Sequence, residues 1–230
     1  MLSFGSVEIP TESRRGLSTV RLDSVVSMKR RLFAALYDTV GKGSERAGMR
    51  EERRQLLAGA EGATIEIGAG TGLNLAHYPD AVTRLVLAEP DPHMRRRLQQ
   101  RVDARRRPAE LVDASVEHLP FPDATFDTAV VTFVLCSVPD QAVALAEIAR
   151  VLRPNGRLLF LEHVRSGDAK VAKAQDRIAP LYRCLADCNP NRDTLASIEA
   201  SALTVDSVKH GEVPKAPKFE RPLIVGTAHR

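Results

Sequence analysis

Residues 64–74 of this chain, TIEIGAGTGLN, constrain its fold more than any other stretch. An apolar run around Glu66 is followed by glycines at alternate positions, Gly68, Gly70 and Gly72. Glycine is needed where the backbone takes a positive φ or where a ligand presses against the main chain. The pattern therefore predicts a buried strand, a tight turn and the start of a helix, with free N–H groups that face a bound ligand.

The spacing of the glycines separates two classes of ligand. In the dinucleotide-binding pattern G-x-G-x-x-G, the third glycine stands one position later than Gly72 does here. Glu66 would also repel a pyrophosphate, whereas it would favour a cationic ligand. An ordinary glycine-rich turn is the alternative, because a single motif of this kind is a weak signal.

Length and composition indicate a globular protein without membrane spans. The 230 residues suit one α/β domain or at most two small ones, with 43% hydrophobic and 27% charged residues. No apolar run reaches the roughly 18 residues that a membrane-spanning helix requires. The first eight residues lack the pattern of a secretory signal, so a cytoplasmic location is expected. The three cysteines fit reduced thiols better than a disulfide framework.

The charge pattern does not indicate a nucleic-acid partner. The net charge of +4 comes largely from arginine clusters at residues 29–31, 95–97 and 105–107, which we interpret as solvated helix faces. The chain has no Trp and only 4% aromatic residues, which argues against a stacking platform for single-stranded nucleic acid. We expect a small-molecule substrate, no nucleic acid, no integral membrane segment, and a monomer or homodimer. Peripheral contact with a membrane stays open.

Acidic residues stand at the ends of the next two predicted strands. A predicted strand at residues 84–88, apolar from residue 85 onward, ends at Glu89, close to the spacing of about 20 residues between a glycine turn and a ribose-binding acid. A shorter strand at residues 111–112 ends at Asp113. A helix-capping role is the alternative for Glu89.

The rest of the chain alternates strands and helices. Residues 128–135 form the apolar run of a strand buried on both faces, and residues 141–152 and 158–164 predict a helix and another strand. Two closing strands, at 204–210 and 222–228, are expected to pair antiparallel. This order predicts an α/β doubly wound sheet.

The chain divides into three predicted parts. Residues 1–22 are polar and irregular and predict a flexible N-terminal arm. Residues 23–58 predict two helices, joined by a glycine-containing link at 41–43, in which the charged residues 51–54 face outward. Residues 59–230 form the α/β domain.

Several motifs together resemble those of one enzyme family. The pattern E-x-G-x-G-x-G at residues 66–72, LPFPDATFD at 119–127 and LRPNGRL at 152–158 resemble the class I (Rossmann-like) S-adenosylmethionine-dependent methyltransferases of the methyltransferase type 11 or UbiE-like superfamily. LCSV at 135–138, EHV at 162–164 and NRDT at 191–194 are similar to its alkyl-thiol methyltransferase branch. The resemblance covers about residues 30–230 and implies a seven-stranded sheet, with the last strand antiparallel and helices on both faces.

Two departures from that branch are visible. The membrane-anchor helix of the animal thiol enzymes is absent from this sequence. The family's Gly-Cys before the Asn-Arg-Asp segment is Asp187-Cys188 in this chain.

The resemblance implies S-adenosyl-L-methionine as the cofactor and a site at the carboxyl ends of the strands. Glu89 would bind the ribose, Asp113 the adenine amino group, and the backbone N–H of Ala114 the adenine ring. The N-terminal helices would form a lid, with Tyr37 in the acceptor pocket. The implied cofactor-binding residues are Glu66, Gly68, Ala69, Gly70, Gly72, Asn74, Glu89, Pro90, Asp113, Ala114, Ser115, Thr132 and Phe133.

Few residues qualify for acid–base chemistry. His163, at a strand end, is the first candidate base because imidazole titrates near neutrality, with a structural histidine as the alternative. Cys136 is either a pocket thiol or, as we favour, a small packing residue. Cys184 and Cys188 lie one helical turn apart without a nearby His pair, so no metal site is predicted.

The predicted function is methyl transfer from S-adenosylmethionine to a small, fairly apolar acceptor: a thiol, quinone, phenol or lipid headgroup. The alternative is a cofactor-binding but catalytically silent module with a regulatory or assembly role. Enzymes that methylate an exocyclic amine of a nucleic acid carry an Asn/Asp-Pro-Pro-Tyr/Phe stretch after the fourth strand. This chain has CSVP at residues 136–139, which argues against that class.

Overall fold

The computed structural model describes residues 16–105, 107–186 and 188–230. Its centre is a seven-stranded sheet in the order β3-β2-β1-β4-β5-β7-β6. The strands are β1 Gly62–Ile67, β2 Val82–Ala88, β3 Glu110–Val112, β4 Phe126–Thr132, β5 Leu152–His163, β6 Thr204–Glu212 and β7 Pro222–His229. The helices are α1 Gly16–Ser44, α2 Arg50–Leu57, α3 Pro92–Asp103, α4 Gln141–Val151, α5 Ala169–Ala186 and α6 Thr194–Glu199.

The sheet confirms the predicted fold class. Strands β1 to β5 run parallel, and β7 pairs antiparallel with both β5 and β6. Ile67 lies between Ala88 and Val131 in the register, so β1, β2 and β4 end at the same edge. In open α/β sheets this carboxyl edge is where ligands bind.

Two apolar layers cover the faces of the sheet. Because side chains alternate along a strand, Ile65 and Ile67 enter the layer with α4, whereas Glu66 points to the other face. That second layer contains Leu57 of α2, Leu98 of α3 and Tyr78. An acid in the middle of β1 is therefore carried into the interior of the protein.

The N-terminal part differs from the prediction in two ways. Helix α1 already begins at Gly16, inside the segment predicted as an arm, and residues 1–15 lie outside the described part of the chain. The predicted link at 41–43 is helical, and the irregularity comes later, in a π-helical turn at Glu45–Met49. There Gly48 has a φ of 144°, which only glycine adopts readily. A glycine inside a helix costs only about 1 kcal/mol in stability. Gly41 and Gly43 therefore do not end helix α1.

Helix α1 carries apolar side chains that face solvent. Met28, Leu32 and Leu36 recur at helical spacing, and they are 66%, 60% and 47% exposed. Of the helices in the described ranges, none combines the length and the apolar character needed to cross a membrane.

The other helices agree with the sequence apart from one. The N-terminal cap of α6 is Asp193, whose Oδ1 accepts a hydrogen bond from the Ala196 amide at 3.1 Å. The crossover helix predicted after Gly72 is reduced to a single 3₁₀ turn at Leu75–His77. Its polar neighbour Asn74 turns inward instead of starting a longer helix.

Candidate cofactor and acceptor site

The glycine turn after β1 takes the left-handed conformation at Gly68, Gly70 and Gly72, with φ of 66°, 56° and 87°. A Cβ atom at Gly68 would lie 2.6 Å from Val134 Cγ2, and one at Gly72 would lie 2.7 Å from Leu98 Cδ1. A Cβ atom at Gly70 would meet nothing closer than 4.0 Å. Packing therefore requires glycine at the two outer positions, whereas Gly70 borders an open cradle that a side chain would fill.

Several backbone N–H groups of this turn donate within the protein, so the prediction that they face a ligand is wrong for these groups. The amides of Gly68 and Ala69 both donate to the carbonyl of Ala88, at 2.8 and 3.1 Å. The Gly70 amide donates to Glu89 Oε2 at 2.7 Å. The turn thus offers a ligand the space beside Gly70 and the carboxylate next to it.

Glu89 follows β2 at the carboxyl edge of the sheet and is 6% exposed. Its Oε1 accepts a hydrogen bond from the Asp91 amide at 2.8 Å, while Oε2 accepts the one from Gly70. Burial raises the pKa of Glu89, and these two hydrogen bonds act in the opposite direction. Each carboxylate oxygen still has a lone pair for a further donor. Pro90, the next residue, is exposed.

Glu66, in the strand that leads into the turn, is buried. It is 1% exposed, and its two oxygens accept hydrogen bonds from Asn74 Nδ2 at 2.9 Å and from the Tyr78 hydroxyl at 2.7 Å. Burial raises the pKa of Glu66 to about 7, although both donors act to lower it. Asn74 is equally buried, so in this geometry both residues support the turn from inside.

Arg53 of α2 completes this buried network, and sequence reasoning missed it. Its Nη1 donates to Asn74 Oδ1 at 3.0 Å and to Thr132 Oγ1 at 3.1 Å, and its Nε donates to Glu45 Oε1 at 3.0 Å. The side chain was predicted to face outward within a charged run, but it is 3% exposed. Nothing in the local sequence distinguishes it from its neighbour Arg54, because the partners come from β4 and from the turn.

The residues after β3 lie at the same edge as Glu89. Asp113 is exposed, and its Oδ2 accepts from Arg95 Nη2 at 2.7 Å. Arg95 Nη1 also donates to the Glu89 carbonyl at 2.6 Å, so it joins the ends of β2 and β3. Ala114 is 7% exposed and Ser115 is half-buried. The predicted ribose and adenine residues are thus neighbours in space.

Phe133 marks the end of β4 with an unusual backbone. Its φ is 60°, a left-handed value that non-glycine residues seldom adopt and that often accompanies functional sites. Its amide donates to the Leu161 carbonyl at 2.8 Å. The ring lies 4.4 Å from the ring of His163 between centroids, and the Arg53 guanidinium lies 5.5 Å from its centroid.

His163 is part of a cluster with two cysteines. Cys136 Sγ and Cys188 Sγ lie 3.7 Å apart, and His163 Nδ1 lies 3.9 Å and 3.7 Å from them. Contact with Cys188, followed by burial, raises the pKa of Cys136 well above its ordinary value. Burial lowers the pKa of His163, but contact with Cys136 and nearby carboxylates raises it by more.

This cluster corrects the expectation that the cysteines offer no set of metal ligands. Its three ligand atoms lie within 4.8 Å of one another. Cys184, which the sequence paired with Cys188, is exposed, and the actual partners of Cys188 come from distant segments. The departure noted at Asp187 lies outside the described residues.

Glu162 holds the loop that carries Cys136. It is fully buried, and its carboxylate accepts hydrogen bonds from the amides of Val134, Leu135 and Cys136 at 2.8, 3.0 and 3.1 Å. Burial raises its pKa against these three donors. Sequence reasoning passed over this residue, although a single acid inside the apolar strand β5 is a signal that something must satisfy it.

Helix α1 contacts the glycine turn through Asp38. The carboxylate accepts a hydrogen bond from Thr71 Oγ1 at 2.6 Å and forms an ion pair with Arg101 of α3, which itself donates to Thr71 Oγ1 at 3.2 Å. The preceding Tyr37 is half-buried, and burial raises its pKa. Arg53 and Cys136 are among the groups whose charges act on that hydroxyl. These contacts position α1 beside the turn; its role as a lid stays a prediction.

The sequence and the fold match known methyltransferases. The profile of the family described as "Methyltransferase domain" matches residues 65–160. The ubiquinone/menaquinone biosynthesis C-methyltransferase UbiE of Hahella chejuensis is 30% identical over 224 residues, 86% of this chain and 88% of that protein. The chain belongs to the class I S-adenosylmethionine-dependent methyltransferases. The predicted family, enzyme class and cofactor are thereby confirmed.

Two further comparisons agree with this family. The human thiol S-methyltransferase TMT1A is 28% identical to this methyltransferase over 211 residues, 90% of this chain and 80% of that protein. The N-methyltransferase NodS of Bradyrhizobium japonicum, solved in complex with S-adenosyl-L-homocysteine, shares its fold with a TM-score of 0.59 at 18% identity. That match covers 79% of this chain and 86% of NodS. The three named relatives methylate carbon, sulfur and nitrogen respectively, so family membership leaves the acceptor open.

Proposed function

We propose that Glu89 accepts hydrogen bonds from the ribose hydroxyls of S-adenosylmethionine. The observation that carries this proposal is the open cradle at Gly70, directly beside a buried carboxylate at the end of β2. Asp113, with Ala114 and Ser115, would then border the adenine, because these residues follow the neighbouring strand. Residues 68–72 and Pro90 would line the methionine and ribose portions.

The buried polar residues have a different part in this proposal. Glu66 and Asn74 hold the glycine turn from beneath, so they act as positioning residues for the cofactor. Thr132 joins the same network, and Phe133 borders the reacting methyl group.

We propose that the acceptor is small and fairly apolar, with a thiol ahead of a quinone, phenol or lipid headgroup. The rings of Phe133 and His163 supply an aromatic border next to Cys136. The activity of the human relative, a thiol S-methyltransferase, supports the ranking. Tyr37 is our candidate for acceptor contact under the lid formed by α1.

For methyl transfer, the protein mainly has to align the acceptor with the methyl donor and exclude water. The acceptor must present a lone pair in line with the bond from the methyl carbon to the sulfonium sulfur. A base is needed when the acceptor arrives protonated. His163 is our candidate for that group, because it lies at the end of β5 against Phe133.

Calorimetric titration with S-adenosylhomocysteine tests the cofactor site. The wild-type chain should bind it, and Glu89→Ala should lose most of the affinity. Glu110→Ala removes an exposed acid of β3 and should leave binding unchanged. Equal affinity in both variants would mean that the ribose site lies elsewhere.

A panel of thiols, quinones, phenols and amines, assayed for production of S-adenosylhomocysteine, tests the acceptor class. Turnover confined to thiols and other apolar acceptors is the expected result. Tight cofactor binding without turnover of any of them would favour a catalytically silent module instead.

A further inference from the structure

Three potential metal ligands meet at the carboxyl edge of the sheet. Cys136 follows β4, His163 ends β5 and Cys188 follows α5. A tetrahedral zinc ion, with Zn–S distances of about 2.3 Å and Zn–N of about 2.0 Å, keeps its ligand atoms about 3.5–3.8 Å apart. The three separations in this protein are 3.7, 3.7 and 3.9 Å. The cluster therefore needs to contract by only a few tenths of an ångström to bind zinc.

We propose that Cys136, His163 and Cys188 bind one zinc ion whose fourth coordination position receives the thiol of the methyl acceptor. Three protein ligands with one open position are the pattern of catalytic zinc sites, and two Cys with one His is a known set. The identity of the fourth ligand rests on the proposed function, whereas the metal site itself does not.

The backbone around the cluster holds its members in place. The amide and the side-chain Nδ2 of Asn189 both donate to the Cys136 carbonyl, at 2.9 and 3.3 Å. Because Asn189 follows Cys188 directly, these bonds join the segments of the two cysteines. The Glu162 carboxylate fixes the Cys136 amide from the other side. Such outer contacts orient ligands before the metal arrives.

The charge balance of the cluster suits a divalent metal in a buried place. Cys136 and Cys188 are 1% and 8% exposed. Two thiolates and a neutral imidazole compensate Zn²⁺ fully, so the loaded site carries no net charge into the interior. A further thiolate at the open position makes the complex anionic, which favours attack on a cationic methyl donor.

The reaction is balanced with groups that the proposal already names. An acceptor thiol that coordinates zinc releases its proton to water. Its sulfur forms a bond to the sulfonium methyl carbon, and the bond from that carbon to the cofactor sulfur breaks, leaving its electron pair on S-adenosylhomocysteine. The neutral thioether then leaves the metal. In the zinc-loaded protein His163 is thus a ligand and no longer the base.

Metal content tests the site directly. The wild-type chain, incubated with Zn²⁺ and passed through a desalting column, should retain about one zinc per chain. Cys136→Ser and Cys188→Ser should lose it, whereas Cys184→Ser removes the exposed third cysteine and should retain it. Substitution by Co²⁺ should give the intense visible bands of a tetrahedral site. Cys136→Ser and Cys188→Ser should not develop these bands, because they lose the metal.

Titration with S-adenosylhomocysteine distinguishes the possible failures. The cysteine variants should bind it with wild-type affinity, which shows that they are folded and that the cofactor site is intact. A wild-type chain that binds it but retains no zinc, or that forms a Cys136–Cys188 disulfide in place of a metal site, would overturn the proposal. Zinc retention in both serine variants would overturn it as well. Stoichiometric zinc with thiol methylation unaffected by a chelator would overturn the acceptor role alone.

Discussion

Substituting alanine for Gly70 separates the role of this residue from that of its neighbour Gly72. Both positions have a positive φ, so alanine at either carries the left-handed strain of roughly 1–2 kcal/mol. At Gly70 the atom nearest to the added methyl group is the Gly68 carbonyl oxygen, 4.0 Å away. At Gly72 the methyl group would stand 2.7 Å from Leu98 Cδ1 and 2.8 Å from Leu75 Cδ1. That overpacking adds about 1–3 kcal/mol.

The two variants should therefore lose different amounts of stability. Gly70→Ala should lower the free energy of unfolding by roughly 1–2 kcal/mol, and Gly72→Ala by roughly 2–5 kcal/mol. Because the cradle beside Gly70 is where the ligand approaches, Gly70→Ala should weaken binding of S-adenosylhomocysteine by about 100-fold, or about 2.8 kcal/mol.

Urea denaturation measures the first quantity, and isothermal titration calorimetry of the folded variants measures the second. Wild-type affinity in Gly70→Ala would refute the assignment of the cradle to the cofactor. Equal stability of the two variants would show that the contacts of Gly72 relax without cost.

Three further predictions concern the buried network and the N-terminal helix. Because burial raises the pKa of Glu66 from 4.5 to about 7, the folded protein keeps a proton that the unfolded chain releases in that window. The free energy of unfolding should fall by about 3 kcal/mol as pH rises from 4.5 to 7, then level off. Glu66→Gln should remove this slope in urea titrations at several pH values; parallel curves would contradict it. Arg53→Met, which removes the donor to the buried Asn74 Oδ1 and the charge partner of Glu45, should cost about 3–5 kcal/mol in thermal or urea unfolding, whereas Arg54→Met should change stability little, and equal losses would count against the network. Asp38→Asn, which removes the charge that pairs with Arg101, should speed amide hydrogen exchange in α1 about fivefold, the equivalent of about 1 kcal/mol, and unchanged exchange would show that this ion pair does not hold the helix.

Much of the fold follows from local pattern. The apolar runs of β1, β2 and β4 and the glycine turn are contiguous in sequence, and each carries its own periodicity or turn chemistry. The antiparallel pairing of β6 with β7 could be predicted for the same reason. The prediction of a crossover helix after Gly72 was wrong, because the Asn74 side chain bonds to buried partners rather than capping a helix.

The residues of the candidate site could likewise be predicted only in part. Candidates at strand ends, such as Glu89 and His163, were identified from sequence because the carboxyl edge follows from strand order. Arg53 escaped notice because its partner Thr132 lies 79 positions away. Asp38 contacts Thr71 across 33 positions, and Cys136 contacts Cys188 across 52.

The amino-acid sequence by itself determined the class of fold, the family and the cofactor. Glycine spacing and strand-end acids are local properties, so they are visible without knowledge of the tertiary structure. Only the tertiary structure decided which polar groups meet. It buried Glu66 beneath the turn, paired Asp38 with Thr71 and brought two cysteines to one histidine. These contacts depend on how the helices pack over the sheet. Short-range sequence pattern carries no information about contacts between segments that far apart.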